Sequence, residues 1–318
     1  MTDTPLHSRI MVPLDGSKSA ERALPTALDL ARRTGARVDL VGVISPHTLP
    51  PPRNADEESF VQGWFAEEDE RIRSYLADAL SSLDADDLEV RTHARKGVVV
   101  ETLLEWSQEL DTDLVVMTTH GRGGLRRAWL GSVSDALLRR APWPILLVPA
   151  SDSDDEAPSG PLPLQRMVVP LDGSARSEGV LGHAARLARL VEGTLSLVTV
   201  LPRPSPAEAS HIHYGLGDGE TTGVILDGLQ AYVDGKAEKL RKSGLTVTTA
   251  ARQDGSAADG IIAHAHEVDA QLILLATRGR GGVTRMMLGS VADKVIRECR
   301  WPILVHRVPN DLEDGSKE

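Results

Sequence analysis

Aromatic residues make up only 3% of this 318-residue chain, and just two of them are phenylalanines. A core must therefore rest on leucine, valine, isoleucine and alanine, which suits an α/β sheet better than a β-sandwich. The chain has one cysteine, Cys299, which excludes an intrachain disulfide and fits a reducing compartment. Within "KVIRECRWPIL" that thiol reads as a small buried hydrophobe. No apolar run is long enough to span a bilayer. The opening "MTDTPLHSRI" lacks the charged and apolar regions of a signal peptide, so a cytoplasmic protein is expected. There is no basic stripe, which argues against nucleic acid or a membrane surface as partner.

Other absences narrow the chemistry. No G-x-x-x-x-G-K-[ST] phosphate loop occurs. The dinucleotide fingerprint should follow the first strand, where Asp15 and Gly16 stand instead. No nucleophile elbow and no metal-ligand cluster is present. His211 and His213 form a loop pair without a third ligand, and His264 and His266 lie two apart on a helix, facing different ways.

The charge that is present is localised. Of the net −11, the stretch 150–163 ("ASDSDDEAPSGPLP") supplies four acids and no bases, and residues 309–318 add a net −3, leaving the body at about −4. The first stretch reads as a linker and the second as an acidic tail.

The sequence is written twice. "VPLDGS" occurs at 12–17 and 169–174, and "WPIL" at 143–146 and 301–304. Between 120–148 and 278–306, 15 of 29 residues are identical, which chance does not produce. The predicted organisation is domain 1 at 1–149, a linker at 150–163, domain 2 at 164–308 and the tail. The Asp15–Asp172 offset is one shorter than the later offsets, which places one gained residue in the first helix region. Each half alternates apolar runs with helical spacing. The first half begins with "RIMVPL", continues through one helix over 17–35 that ends at Gly35, and closes on "WPILLVP". That alternation predicts βαβ units and a parallel sheet.

Two motifs fall at the carboxyl ends of strands, where open parallel sheets bind ligands. "PLDGS" follows strand one. "HGRGG…GS" follows strand four and opens the last helix. A helix N-terminus offers unpaired N–H groups and the positive end of its dipole. Gly131 admits a phosphate to the backbone, Ser132 can donate a hydroxyl, and Arg122 and Arg280 are candidate phosphate neighbours. The same letters permit a plain capped helix, because Ser132-x-x-Asp135 and Ser290-x-x-Asp293 read as capping boxes. Asp15 and Asp172 equally suit a helix N-cap or a turn. Asp135 and Asp293 are candidates to hold Mg²⁺.

Taken together, "VPLDGS", "THGRGGLRRAWLGSVSD" and "APWPILLVP", with "TRGRGGVTRMMLGSVAD" and "CRWPILVHR" in the second copy, resemble the universal stress protein family over nearly the whole chain. The resemblance implies two repeated Rossmann-like α/β domains of the adenine-nucleotide α-hydrolase type. Each would have a five-stranded parallel sheet with helices on both faces. Many members bind ATP, and many are dimers paired through the last strand, so an internal pseudo-dimer and a homodimer are expected. The implied cofactor is ATP, with or without Mg²⁺, and the expected chemistry is binding rather than turnover.

The ATP-binding members carry G-x2-G-x9-G-[ST]. Gly121, Gly131 and Ser132 keep the later part, as do Gly279, Gly289 and Ser290, with Val133 and Val291 following. Thr118 and Ala276 replace the first glycine, which weakens the inference more in the first half. By the same resemblance Pro13, Asp15, Pro170 and Asp172 meet the adenosine part, and Val43 and Val200 bond adenine through the backbone. Two alternatives stay open, a weak ATPase and a nucleotide-free interaction protein.

Overall fold

The computed structural model describes residues 7–45, 53–119, 130–149, 160–203, 220–278 and 288–308. The chain divides into two compact units, Met1–Leu162 and Pro163–Glu318.

In the first unit the strands are β1 (Arg9–Pro13), β2 (Arg37–Ile44), β3 (Val90–Lys96), β4 (Leu114–Thr118) and β5 (Ile145–Val148). All pair in parallel, in the order β3-β2-β1-β4-β5. Ile10, Met11 and Val12 of β1, and Leu114 to Met117 of β4, are buried. These strands are covered on both faces, which is why they read as unbroken apolar runs. β3 is an edge, and its "VRTHARK" puts charge where a further strand would otherwise add.

The helices are α1 (Lys18–Glu21), α2 (Leu24–Thr34), α3 (Ala55–Ser81), α4 (Val99–Glu109) and α5 (Ser132–Arg140). The single helix expected over 17–35 is two helices. Pro25, which lacks an N–H, is accommodated in the first turn of α2, but the second copy breaks at the matching residue, Val180, without a proline. Gly35 does end α2, at φ +70, with its N–H on the Ala31 carbonyl at 2.8 Å. Side chains alternate across β2. A Cβ on Gly42 would lie 2.6 Å from Ile72 of α3. Asp39 instead bonds His93, whose ring lies 5.9 Å from that of Trp106 in α4. Helices therefore cover both faces.

The second unit repeats the plan with β6 (Arg166–Pro170), α6 (Ala175–Gly179), α7 (Leu181–Leu190), β7 (Thr194–Pro202), α8 (Glu220–Lys242), β8 (Thr246–Asp254), α9 (Ala257–Glu267), β9 (Leu272–Arg278), α10 (Ser290–Glu298) and β10 (Ile303–Val308). Its order is β8-β7-β6-β9-β10, again parallel. The expected fold, two α/β units with five-stranded parallel sheets, is what the chain adopts.

The extra residue of the second copy is not in the first helix region. Arg9 and Arg166 differ by 157, as do Val38 and Leu195, and Val90 and Val247, each in matching register. From α4 and α9 onward the offset is 158, as Val99 and Ala257 show. The added residue is Asp254, at the exit of β8.

The two helical histidines face different ways, as expected. His264 is buried with its Nε2 2.8 Å from Ser196 Oγ, whereas His266 meets Arg300 at 2.7 Å. Burial first, and then the nearby Arg252 charge, push His264 below its ordinary 6.5, against a smaller opposing pull from Glu267. A histidine kept neutral by the fold contributes stability that is complete above 6.5 and lost as pH falls below it. Denaturant titrations near about pH 7.5 and about pH 5.5 should therefore show a larger loss for wild type than for His264→Asn. Equal losses would mean that His264 does not titrate in this window.

Cys299 is not within a helix. It caps the C-terminus of α10, with Sγ 3.5 Å from the Trp301 carbonyl. The residue is half-buried, but burial of the thiol itself pushes it up to about 12, so it stays protonated and inert.

Candidate functional site

The first element is the turn after β1. Pro13 and Pro170, both half-buried, close their strands, and a proline cannot donate to a ladder. Asp15 Oδ1 accepts from Ser17 N–H at 3.0 Å and from Ser17 Oγ at 2.6 Å. Asp172 Oδ1 repeats this with Ser174, at 3.0 and 2.6 Å. The intervening Gly16 and Gly173 sit at φ +84 and +83, where side chains are strained. Ser17 and Ser174, not the aspartates, cap the helices, accepting from Ala20 and Ser177 N–H at 3.1 Å each. Asp15 and Asp172 are thus turn formers. Burial raises the Asp172 carboxyl, but hydrogen bonds from Ser174 and Ser177 outweigh it and hold the group below the usual carboxylate range.

The second element is the end of β2. In a parallel ladder, the backbone groups of successive residues turn to alternate neighbours. Val41 C=O accepts from Leu14 at 2.8 Å on the β1 side, and Ile44 C=O accepts from Gly97 at 3.0 Å on the β3 side. Val43 therefore turns its backbone toward β1, whose ladder has already ended at Pro13 opposite Val41. Val200 repeats the arrangement two residues past Val198, whose C=O accepts from Leu171 at 2.8 Å. Its side chain packs on α9, where a Cβ on Gly260 would lie 2.6 Å from it.

The third element is the N-terminus of the last helix. β1 and β4 are adjacent, Ile10 beside Leu114, and so are β6 and β9, Met167 beside Leu272. Their carboxyl ends flank the point where strand order reverses. Gly131 N–H is held on Thr119 C=O at 2.8 Å, and Ser134 Oγ donates to Thr118 C=O at 3.1 Å. Gly131 and Gly289 are the caps, at φ −59 and ψ 148 and 146, with no side-chain cap bond. The ladders begin with Asp135 N–H to Gly131 C=O and Asp293 N–H to Gly289 C=O, both 2.8 Å. The N–H groups of Ser132 and Val133, and of Ser290 and Val291, precede them. Ser132, Ser290 and Val291 are exposed, and Val133 is half-buried.

The capping-box reading is therefore corrected. Ser132 and Ser290 lie one residue inside the helix, where their hydroxyls do not serve as N-caps. Asp135 holds Arg139 at 2.8 and 2.9 Å, and Asp293 holds Arg297 at 2.9 Å. Among the described residues no group of three or more His, Cys, Asp or Glu could hold a metal ion. Thr118 is buried at the end of β4, and Ala276 is half-buried two residues before the end of β9. Gly121, Arg122, Gly279 and Arg280 lie outside the described residues, as do His211 and His213.

A family model of universal stress proteins matches residues 7–149 and again 163–307. The chain belongs to the universal stress protein family. Universal stress proteins Rv2005c and Rv2623 of Mycobacterium tuberculosis are 27% identical over 311 residues and 28% over 317, each covering 94% of this chain and 96% of the relative. This chain therefore shares their tandem length. A universal stress protein from Archaeoglobus fulgidus superposes with a TM-score of 0.64 over 94% of this chain and 98% of that one, at 19% identity, which speaks for the fold. No helix among the described residues is long and apolar enough to cross a membrane.

This universal stress protein also holds contacts that sequence reading missed. In the second unit Tyr232 of α8 donates to Glu178 Oε1 at 2.9 Å, and Lys236 pairs with Glu178 Oε2 at 2.5 Å. Burial, reinforced by Glu178, pushes the Tyr232 hydroxyl far above its ordinary value. The cluster pins α8 beside the Asp172 turn. In the first unit Asp39, 1% exposed, binds Arg37 and His93. Ser196 takes the corresponding place, between His264 and Thr248. The one available signal was a charged residue inside an apolar strand, "RVDLVGVI".

Proposed function

We propose that this tandem universal stress protein binds an adenine nucleotide, ATP, at the carboxyl end of one or both sheets. The turn of Asp15 or Asp172 would meet the adenosine part. The backbone of Val43 or Val200 would bond adenine, and the N-terminus of α5 or α10 would receive phosphates. One observation carries this reading. Gly289 has a backbone conformation open to any residue, and a Cβ there would meet nothing within 4 Å among the described residues. Among the described residues neither strain nor packing asks for glycine at that cap, and a bare backbone there leaves the helix N–H groups open to a ligand. Gly131 shares the same φ and ψ.

Asp135 and Asp293 are engaged by arginines, so any Mg²⁺ would be carried by the phosphates rather than by these carboxylates. That favours binding over turnover, since these two shared carboxylates are occupied by arginines rather than placed to position a water. Ala276 leaves more room than Thr118, so the second unit is the tighter site.

The chain purified without added nucleotide and then denatured should release adenine nucleotide, and calorimetry on stripped protein should show ATP binding. No release and no heat would return the chain to a nucleotide-free interaction role, to which Thr118 points in the first unit. Turnover with Mg²⁺ that is lost in a Gly131→Arg/Gly289→Arg variant would overturn binding without catalysis.

A further inference from the structure

The chain has only two phenylalanines, and both, Phe60 and Phe65, lie with Trp64 on a single stretch of α3. A core this short of aromatics would be expected to use them inside. Instead no residue from 55 to 71 is buried, and Phe60 is 66% exposed. Val61, Trp64, Phe65 and then Ile72, Leu76 and Ala79 fall at helical spacing on one stripe. The last three are buried and pack the unit. The stripe then continues past the sheet: Ile72 lies on Gly42, and Phe65 lies under Lys96, the last residue of β3, at 4.7 Å. At 1.5 Å per residue the helix runs on about 15 Å beyond Phe65. Trp64 and Phe65 stack edge to face, 5.2 Å apart, within this surface.

Charge narrows the occupant. Between 55 and 70 there are seven acidic residues and no basic one. Only Glu68 and Asp69 meet an arginine among the ion pairs seen, Arg71 and Arg73 respectively. A second copy would bring the same negative helix against this one, and nucleic acid or an anionic bilayer would be repelled likewise. We infer that the N-terminal half of α3 is a docking surface for a basic, amphipathic protein segment. Its apolar residues would cover Phe60, Trp64 and Phe65, and its Lys or Arg would meet the flanking acids.

The full chain is titrated into a labelled library of amphipathic helical peptides with Lys/Arg polar faces, and into a twin library with Glu in their place, read by anisotropy. The basic library should bind and the acidic one should not, and binding should weaken between about 0.1 and about 0.5 M salt. Phe60→Ser/Trp64→Ser/Phe65→Ser, which touches no buried residue, should weaken binding at least about tenfold. Glu67→Lys/Glu70→Lys keeps the apolar stripe and should shift preference toward the acidic library. Equal binding by wild type and both variants, or no preference for the basic library, would overturn the inference. So would self-association of the wild type, or its binding to anionic vesicles, that the serine variant loses.

Discussion

Gly289→Arg should abolish nucleotide binding in the second unit while leaving its stability within about 0.5 kcal/mol of wild type. The position tolerates a side chain as far as the protein is concerned, because its φ of −59 is ordinary and the described surroundings are open. What a side chain would occupy is the approach to the Ser290 and Val291 N–H groups. An affinity loss of at least about a hundredfold, roughly 2.7 kcal/mol, is expected by calorimetry. Gly289→Ala should lose less, since a methyl only crowds the approach. Gly131→Arg should act on the first unit in the same way, and the double variant should retain neither site. If the arginine variants melt as wild type and still bind ATP, the helix terminus is not where the phosphates lie.

Asp39→Ala should destabilise the first unit by about 3 kcal/mol, seen as an earlier unfolding transition in calorimetry or denaturant. The carboxylate is 1% exposed and accepts from Arg37 Nε at 3.0 Å, with His93 Nε2 at 2.8 Å on its other oxygen. Removing it leaves a half-sequestered guanidinium without its counter-charge and opens a void in β2. Asp39→Asn keeps the shape and one acceptor, and should cost clearly less. A loss under about 1 kcal/mol for alanine would mean that water replaces the carboxylate.

What the letters made legible follows from what is local. Strand and helix periods and the G-x9-G spacing are properties of neighbouring residues, the duplication is the same local pattern written twice, and the parallel sheet follows from them. The contacts that were not legible join residues far apart in sequence: Asp39 with His93, Tyr232 with Glu178, Ser196 with His264. No period announces such pairs, because they depend on which strands become neighbours. The capping box failed for a different reason. Ser-x-x-Asp has the same spelling whether serine stands at the cap or one residue inside. Only the backbone angles of Gly131 and Gly289 decide. The break before Pro25 recurs at Val180 in the second copy, where no proline marks it, so the letters did not announce it.

Asp254 has an evolutionary meaning. An insertion within a strand would turn every later side chain to the opposite face. This one enters at the exit of β8, where its carboxylate accepts the Gly255 N–H at 2.8 Å and the next helix begins afresh. The strand register is therefore the same in the two copies, and the difference in length falls at the rim. Twin domains of this kind can change length at the margin where they meet other molecules while keeping one strand register, so the two halves of one polypeptide are free to specialise without either having to be folded anew.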